Sequence, residues 1–135
     1  MQDAPTAYKP GALLTETRNL LLVEDDRRVG SFIAQGLRDE GFHVEWATTA
    51  DEALAHATAS SFDVMLLDHM LPGRSGIEVA RTLRASGNAT PILMLTARDA
   101  PEDRRAAFAA GANEFMGKPF LFDDLLERIA KLIAA

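Results

Sequence analysis

Asp68 closes the apolar run Val64-Met65-Leu66-Leu67, and the acidic triplet Glu24-Asp25-Asp26 closes a second run, Leu20-Leu21-Leu22-Val23. Thr96-Ala97 follows a third run, Pro91-Ile92-Leu93-Met94-Leu95, and Lys118-Pro119 follows Asn113-Glu114-Phe115-Met116. Carboxylates crowded in one place repel one another unless a cation or a proton relieves them. Asp25 and Asp68, with a backbone carbonyl and waters, offer the oxygen ligands that Mg²⁺ prefers. A carboxylate nucleophile beside such an ion can take up a phosphoryl group as an acyl phosphate if the incoming oxygens are neutralised. Mg²⁺ and the Lys118 ammonium can do that from two sides, and the Thr96 hydroxyl can donate to a phosphoryl oxygen. These residue types spell a phosphate acceptor.

Each residue alone has a plainer reading. Asp25 or Asp26 can cap a helix, Thr96 can satisfy a backbone group at a strand end, and Lys118 can be solvated. Asp68 can start the turn Leu71-Pro72-Gly73-Arg74-Ser75-Gly76 through its side chain. The joint reading rests on position: an acid group, a single acid, a hydroxyl and a lysine each end an apolar run.

The elements that must gather them alternate along the chain. Strand-like runs fall at 19–23, 43–47, 63–67, 91–95 and 113–116, and helix-period segments near 27–40, 50–60, 76–86, 101–110 and 123–134. In the first helix Val29, Phe32, Ile33 and Leu37 share one face, Asp25 or Asp26 can cap its start, and Gly41 can end it. The fourth helix, around Ala106-Ala107-Phe108-Ala109-Ala110, carries little apolar mass and is the candidate for the mobile one. Five strands alternating with five helices predict an α/β fold, a doubly wound flavodoxin-like (βα)5 parallel sheet of order 2-1-3-4-5. The first and third strands are then neighbours, and the order reverses between them. Asp68 and Glu24-Asp25 meet at that switch point, outside the strands' C-terminal ends where ligands bind.

Composition narrows the classes. With 135 residues and 47% apolar content, one compact domain is expected, over 19–135, preceded by a flexible tail at 1–18 that carries Pro5, Pro10 and Gly11. A net charge of −6 argues against direct binding of nucleic acid, whose backbone needs a Lys/Arg stripe. Cysteine is absent, which rules out disulfide and thiolate chemistry. No apolar run approaches the ~18 residues of a membrane span, and Met1-Gln2-Asp3-Ala4-Pro5 lacks the start of a secretory signal. A soluble cytoplasmic protein is the expectation. His43, His56 and His69 are scattered along the chain and predict no transition-metal cluster. Trp46 reads as core packing on an edge strand, and His69 as a surface residue, because neighbouring strand-end side chains point to opposite faces.

Leu22-Val23-Glu24-Asp25-Asp26, Asp68-His69-Met70-Leu71-Pro72-Gly73-Arg74-Ser75-Gly76, Leu95-Thr96-Ala97-Arg98 and Gly117-Lys118-Pro119-Phe120 stand in an order and spacing that resemble the receiver domain of two-component response regulators. The resemblance runs from about residue 18 to 134. It implies that Asp68 receives a phosphoryl group from a phosphohistidine on a sensor histidine kinase or histidine phosphotransfer protein. It also implies Mg²⁺ held by Asp25 and Asp68, by the Met70 carbonyl, and by Glu24 through water, with a cis Lys118–Pro119 bond. Phe115 falls at the family's switch position and is expected to turn inward as Thr96 moves toward Asp68. Met70 and Arg98, beside the site, are expected to hinder an attacking water and lengthen the phosphoryl lifetime.

The turn and the Lys-Pro-Phe motif resemble most the receivers of winged-helix (OmpR/PhoB-type) regulators. These pair through their fourth helix, fifth strand and fifth helix; Arg104, Glu114 and Arg128 stand at its charged pairing positions, and Asn113 replaces a usual acid. The output is then contact with a downstream protein or a second copy, from a stand-alone receiver or one part of a longer DNA-binding regulator. Other classes fit less well. An FMN carrier of the same fold would meet repulsion from Glu24-Asp25-Asp26 at its phosphate loop. A haloacid-dehalogenase-type phosphatase needs an acid where Met70 stands. A docking pseudo-receiver normally lacks one of the acids, the Thr or the Lys, and this chain has all of them.

Overall fold

The computed structural model describes residues 17–134; the expected tail falls almost wholly outside them. Five parallel strands, β1 (Asn19–Val23), β2 (His43–Ala47), β3 (Val64–Asp68), β4 (Ile92–Thr96) and β5 (Glu114–Gly117), form one sheet of order β2-β1-β3-β4-β5. Five helices alternate with them: α1 (Arg27–Asp39), α2 (Ala50–Ala59), α3 (Gly76–Ala85), α4 (Pro101–Ala109) and α5 (Phe122–Ala134). The fold is the doubly wound flavodoxin-like one. The last three strands start and end about one residue later than their apolar runs suggested. Asp68 and Thr96 are therefore the final residues of β3 and β4, because the ladder continues through Asp68 opposite Leu95 and Thr96 opposite Gly117.

Strand parity sorts the core into two layers. Leu20, Leu22, Val64, Leu66, Leu93, Leu95 and Met116 pack under α1 and α5. Leu21, Val23, Met65, Leu67, Ile92, Met94 and Phe115 face α2, α3 and α4. Burial on both faces explains why β3 and β4 read as continuous apolar runs rather than alternating ones.

Asp26, not Asp25, caps α1, accepting from the Arg28 and Val29 N–H groups at 2.9 and 3.1 Å. Gly41 follows the helix at φ +100°, the left-handed geometry expected there. Phe32 departs from the expected apolar face: it is 62% exposed, and Ile33, Ala34 and Leu37 form the buried stripe. Its ring instead meets Phe122 edge-on at 5.8 Å. Among its own residues α4 buries only Ala107, in line with its low apolar mass. No helix among the described residues is long and apolar enough to cross a membrane.

Candidate functional site

The site lies where the sheet order reverses. Glu24 follows β1 with its backbone held on both sides: its N–H donates to Ala47 at 3.0 Å, and the Trp46 indole N–H donates to its carbonyl at 2.9 Å. Trp46 thus packs on α1 and also anchors the acidic turn. Glu24 is 1% exposed, and one of its carboxylate oxygens accepts from the Asp26 N–H at 3.1 Å. Asp25 is exposed. Asp68 is 5% exposed and accepts from the Met70 N–H at 3.3 Å. Ligand oxygens of Glu24, Asp25 and Asp68 all lie within 4.8 Å of one another. Three carboxylates offer a hard, all-oxygen donor set, which suits Mg²⁺ and not a soft metal.

The turn after Asp68 is held by close backbone contact. A Cβ on Gly76 would stand 2.4 Å from the Asp68 carbonyl oxygen, so only glycine lets α3 begin there. Ser75 and Glu78 then close a reciprocal cap on α3.

Lys118 arrives from the far side. Its N–H donates to the Thr96 carbonyl at 2.8 Å, and its Nζ lies 2.8 Å from Glu24 Oε1 and 3.5 Å from Asp68 Oδ1. The Lys118–Pro119 bond is cis, as expected. Burial, then the Glu24 charge, push the Asp68 carboxyl up to about 7, more than Lys118 and the Met70 N–H draw it down. Burial alone would lower the Lys118 ammonium, but the Glu24 and Asp68 carboxylates together outweigh it and hold it above its ordinary value.

Glu24, Asp25, Asp68 and Lys118 therefore come together. Thr96 is fully buried at the next strand tip, but its hydroxyl is engaged with the Arg98 N–H at 2.8 Å and His69 Nδ1 at 3.4 Å. Among the described residues it makes no hydrogen bond to Asp68. Met70 is 52% exposed. The Arg98 guanidinium is drawn to Asp103 of α4 at 3.2 Å. Phe115 is 1% exposed, in the inward position assigned to the switched state, with Phe108 at 6.5 Å and the Arg104 guanidinium 5.0 Å over its ring.

One expectation about the site needs correcting. His69 is not a surface residue: it is 8% exposed. Parity does turn it away from Asp68, but onto the sheet face that α2, α3 and α4 cover, where its ring meets Thr96. Burial and the nearby Arg98 charge lower its imidazole from the ordinary value. His43 and His56 both approach Glu45, at 3.8 and 2.6 Å, but among the described residues the only cluster of potential metal ligands is Glu24, Asp25 and Asp68. Arg84 was missed altogether. It ties the end of α3 to the loops before β4 and β5 through Gly111, Asn88, Thr90 and the Asn113 side chain. At the expected pairing face, Arg128 bridges Glu114 at 3.1 Å and Arg104 bridges Asp99 at 3.3 Å, both within the chain.

A parallel sheet with an acidic pocket at its switch point defines the fold class, and comparison with known proteins supplies the family. The response regulator receiver domain matches residues 20–130. Response regulator protein PmrA of Pseudomonas aeruginosa is 44% identical over 113 residues, 84% of this chain and 51% of that protein. Response regulator MprA of Mycobacterium leprae is 41% identical over 114 residues, 84% of this chain and 50% of that one. Among solved structures, chemotaxis response regulator CheY4 of Vibrio cholerae superposes with a TM-score of 0.82 at 33% identity, covering 87% of this chain and 99% of that one. The chain belongs to the response regulator receiver domain family. It spans about half the length of the two curated relatives.

Proposed function

We propose that this receiver is a phosphoacceptor and that Asp68 is the residue modified. A phosphohistidine on a sensor kinase or phosphotransfer protein is the donor. An Asp68 oxygen attacks phosphorus, the P–N bond breaks, and the imidazole leaves with the electron pair and takes up a proton. Glu24, Asp25, Asp68 and the Met70 carbonyl are the groups that would hold Mg²⁺. When bound, the ion supplies charge neutralisation for the phosphoryl oxygens.

The chain's own residues do the rest. Lys118 offers a second positive charge, and its hold on Glu24 keeps it within reach of Asp68. Thr96 is the one hydroxyl on the neighbouring strand tip able to donate to a phosphoryl oxygen. Phe115, Arg104 and the weakly packed α4 carry the change to the α4–β5–α5 face, where a downstream protein or a second copy would bind. The chain then acts in the cytoplasm as a signalling switch and turns over no separate substrate. The alternative output, DNA binding, belongs to a longer winged-helix regulator of which this receiver would be one part.

One observation carries the reading: three carboxylates share a small pocket with a lysine already paired to two of them. Intact-mass analysis after incubation with a small acyl-phosphate donor and Mg²⁺ tests it. The wild-type chain should gain one phosphoryl group, and Asp68→Asn none. Equal modification of both, or of neither, contradicts the proposal.

A further inference from the structure

The Thr96 hydroxyl carries a single proton, and a His69 ring nitrogen lies within its reach. Its oxygen accepts from the Arg98 N–H at 2.8 Å, which leaves the O–H free to donate, and the neighbouring group is His69 Nδ1 at 3.4 Å, the long end of hydrogen-bonding range and an acceptor in the Nε2–H tautomer. Both side chains are buried, at 0% and 8% exposure, so water does not substitute for either partner. Among the described residues, Thr96 is the only side chain hydrogen-bonded to the His69 ring. The ring feels the charges of Arg98 and Asp103, which pair at 3.2 Å at the start of α4.

We propose that His69 is a positioning residue that holds the Thr96 hydroxyl proton and so competes with a phosphoryl group on Asp68 for it. The inference rests on the phosphoacceptor reading of Asp68. One proton cannot serve two acceptors. When Thr96 turns to a phosphoryl oxygen, His69 Nδ1 loses its donor, and the loss is felt at the start of α4. His69 thereby raises the threshold for switching and links the event to the helix that must respond. The imidazole does this as the Nε2–H tautomer, whose Nδ1 is an acceptor.

Affinity for beryllofluoride, a phosphoryl mimic, in the presence of Mg²⁺ tests the competition, with the single Trp46 as fluorescent probe. His69→Phe leaves the Thr96 proton without an acceptor in the free protein. It should tighten the mimic by about threefold to tenfold, the worth of one modest hydrogen bond. In a Thr96→Val background the same substitution should change affinity by less than about twofold. Equal effects in both backgrounds would mark a purely structural role and overturn the proposal, as would no effect with Thr96 present. A measurement on the unaltered chain guards against a variant that does not fold: on saturation with the mimic, the ¹⁵N resonance of His69 Nδ1 should move toward that of an imidazole nitrogen without a donor. An unmoved resonance overturns the proposal. A wild-type chain that does not bind the mimic at all removes the phosphoacceptor reading and this inference with it. Binding without coupling removes this inference alone.

Discussion

Lys118 and Glu24, 94 residues apart in sequence, meet through a 2.8 Å contact between Nζ and Oε1 in a pocket where Glu24 is almost wholly buried. The lysine is the one cation paired with the two buried carboxylates among the described residues. Lys118→Met should therefore destabilise the fold by about 1–3 kcal/mol, below the usual cost of splitting a fully buried pair because the lysine is partly exposed. It should also slow phosphorylation by about tenfold or more. Mg²⁺ should recover more stability in the variant than in wild type. Denaturant melts with and without the ion, beside phosphorylation time courses, check all three.

Asp68 gives the protein an unusual pH response. Its folded carboxyl titrates at about 7 against an ordinary value of 3.8, so the fold favours the neutral form. The folded state binds the extra proton between these values, and stability falls as pH rises from about 4 to about 7. Asp68→Asn should remove that slope. The variant should match wild type near pH 4 and exceed it at pH 8 by about 1–3 kcal/mol, after allowing for screening at the pocket's open side. Melts across this range are the check, and a variant less stable at pH 8 would count against it.

Asp25 and Asp26, adjacent in sequence, should separate cleanly. Asp26→Ala removes the α1 cap and should cost about 1 kcal/mol of stability with little change in Mg²⁺ affinity. Asp25 is exposed and belongs to the acidic cluster. Asp25→Ala should leave stability unchanged or slightly raised, and weaken Mg²⁺ binding by about tenfold or more. Calorimetric titration with Mg²⁺ and thermal melts distinguish the two.

Met70 is half exposed, and its backbone N–H reaches Asp68 at 3.3 Å, so an apolar side chain stands two residues from the phosphoacceptor. Met70→Asn should shorten the phosphoryl lifetime about threefold or more, because an amide can hold a water where the thioether cannot. Decay followed by phosphate release measures this. Arg98 should matter less than its position suggests, since its guanidinium is engaged by Asp103.

The parts of this site that could be read from the chain are those set by strand ends. Glu24, Asp68 and Lys118 each close or follow an apolar run, and a doubly wound parallel sheet brings such ends to one rim. What escaped depends on which neighbour covers a face. His69 was correctly turned away from Asp68 by parity, yet parity cannot say that α4 lies over that face. Phe32 fits the helical period of α1 but stays largely exposed on the side toward α5, where Phe122 meets it. The Arg84 network joins the end of α3 to backbone carbonyls of two loops, and carbonyls leave no mark on residue type. The meeting of His43 and His56 at Glu45 needed the packing of α2 on the edge strand.

The most direct test of the central claim is to trap the modified residue. An acyl phosphate on aspartate is reduced by borohydride to homoserine, and peptide mapping then reads the position. After treatment with a phosphodonor and Mg²⁺, homoserine should appear at position 68 alone. Its appearance at Asp25 or Asp26, or unmodified Asp68 in a chain that had gained a phosphoryl group, would contradict the account.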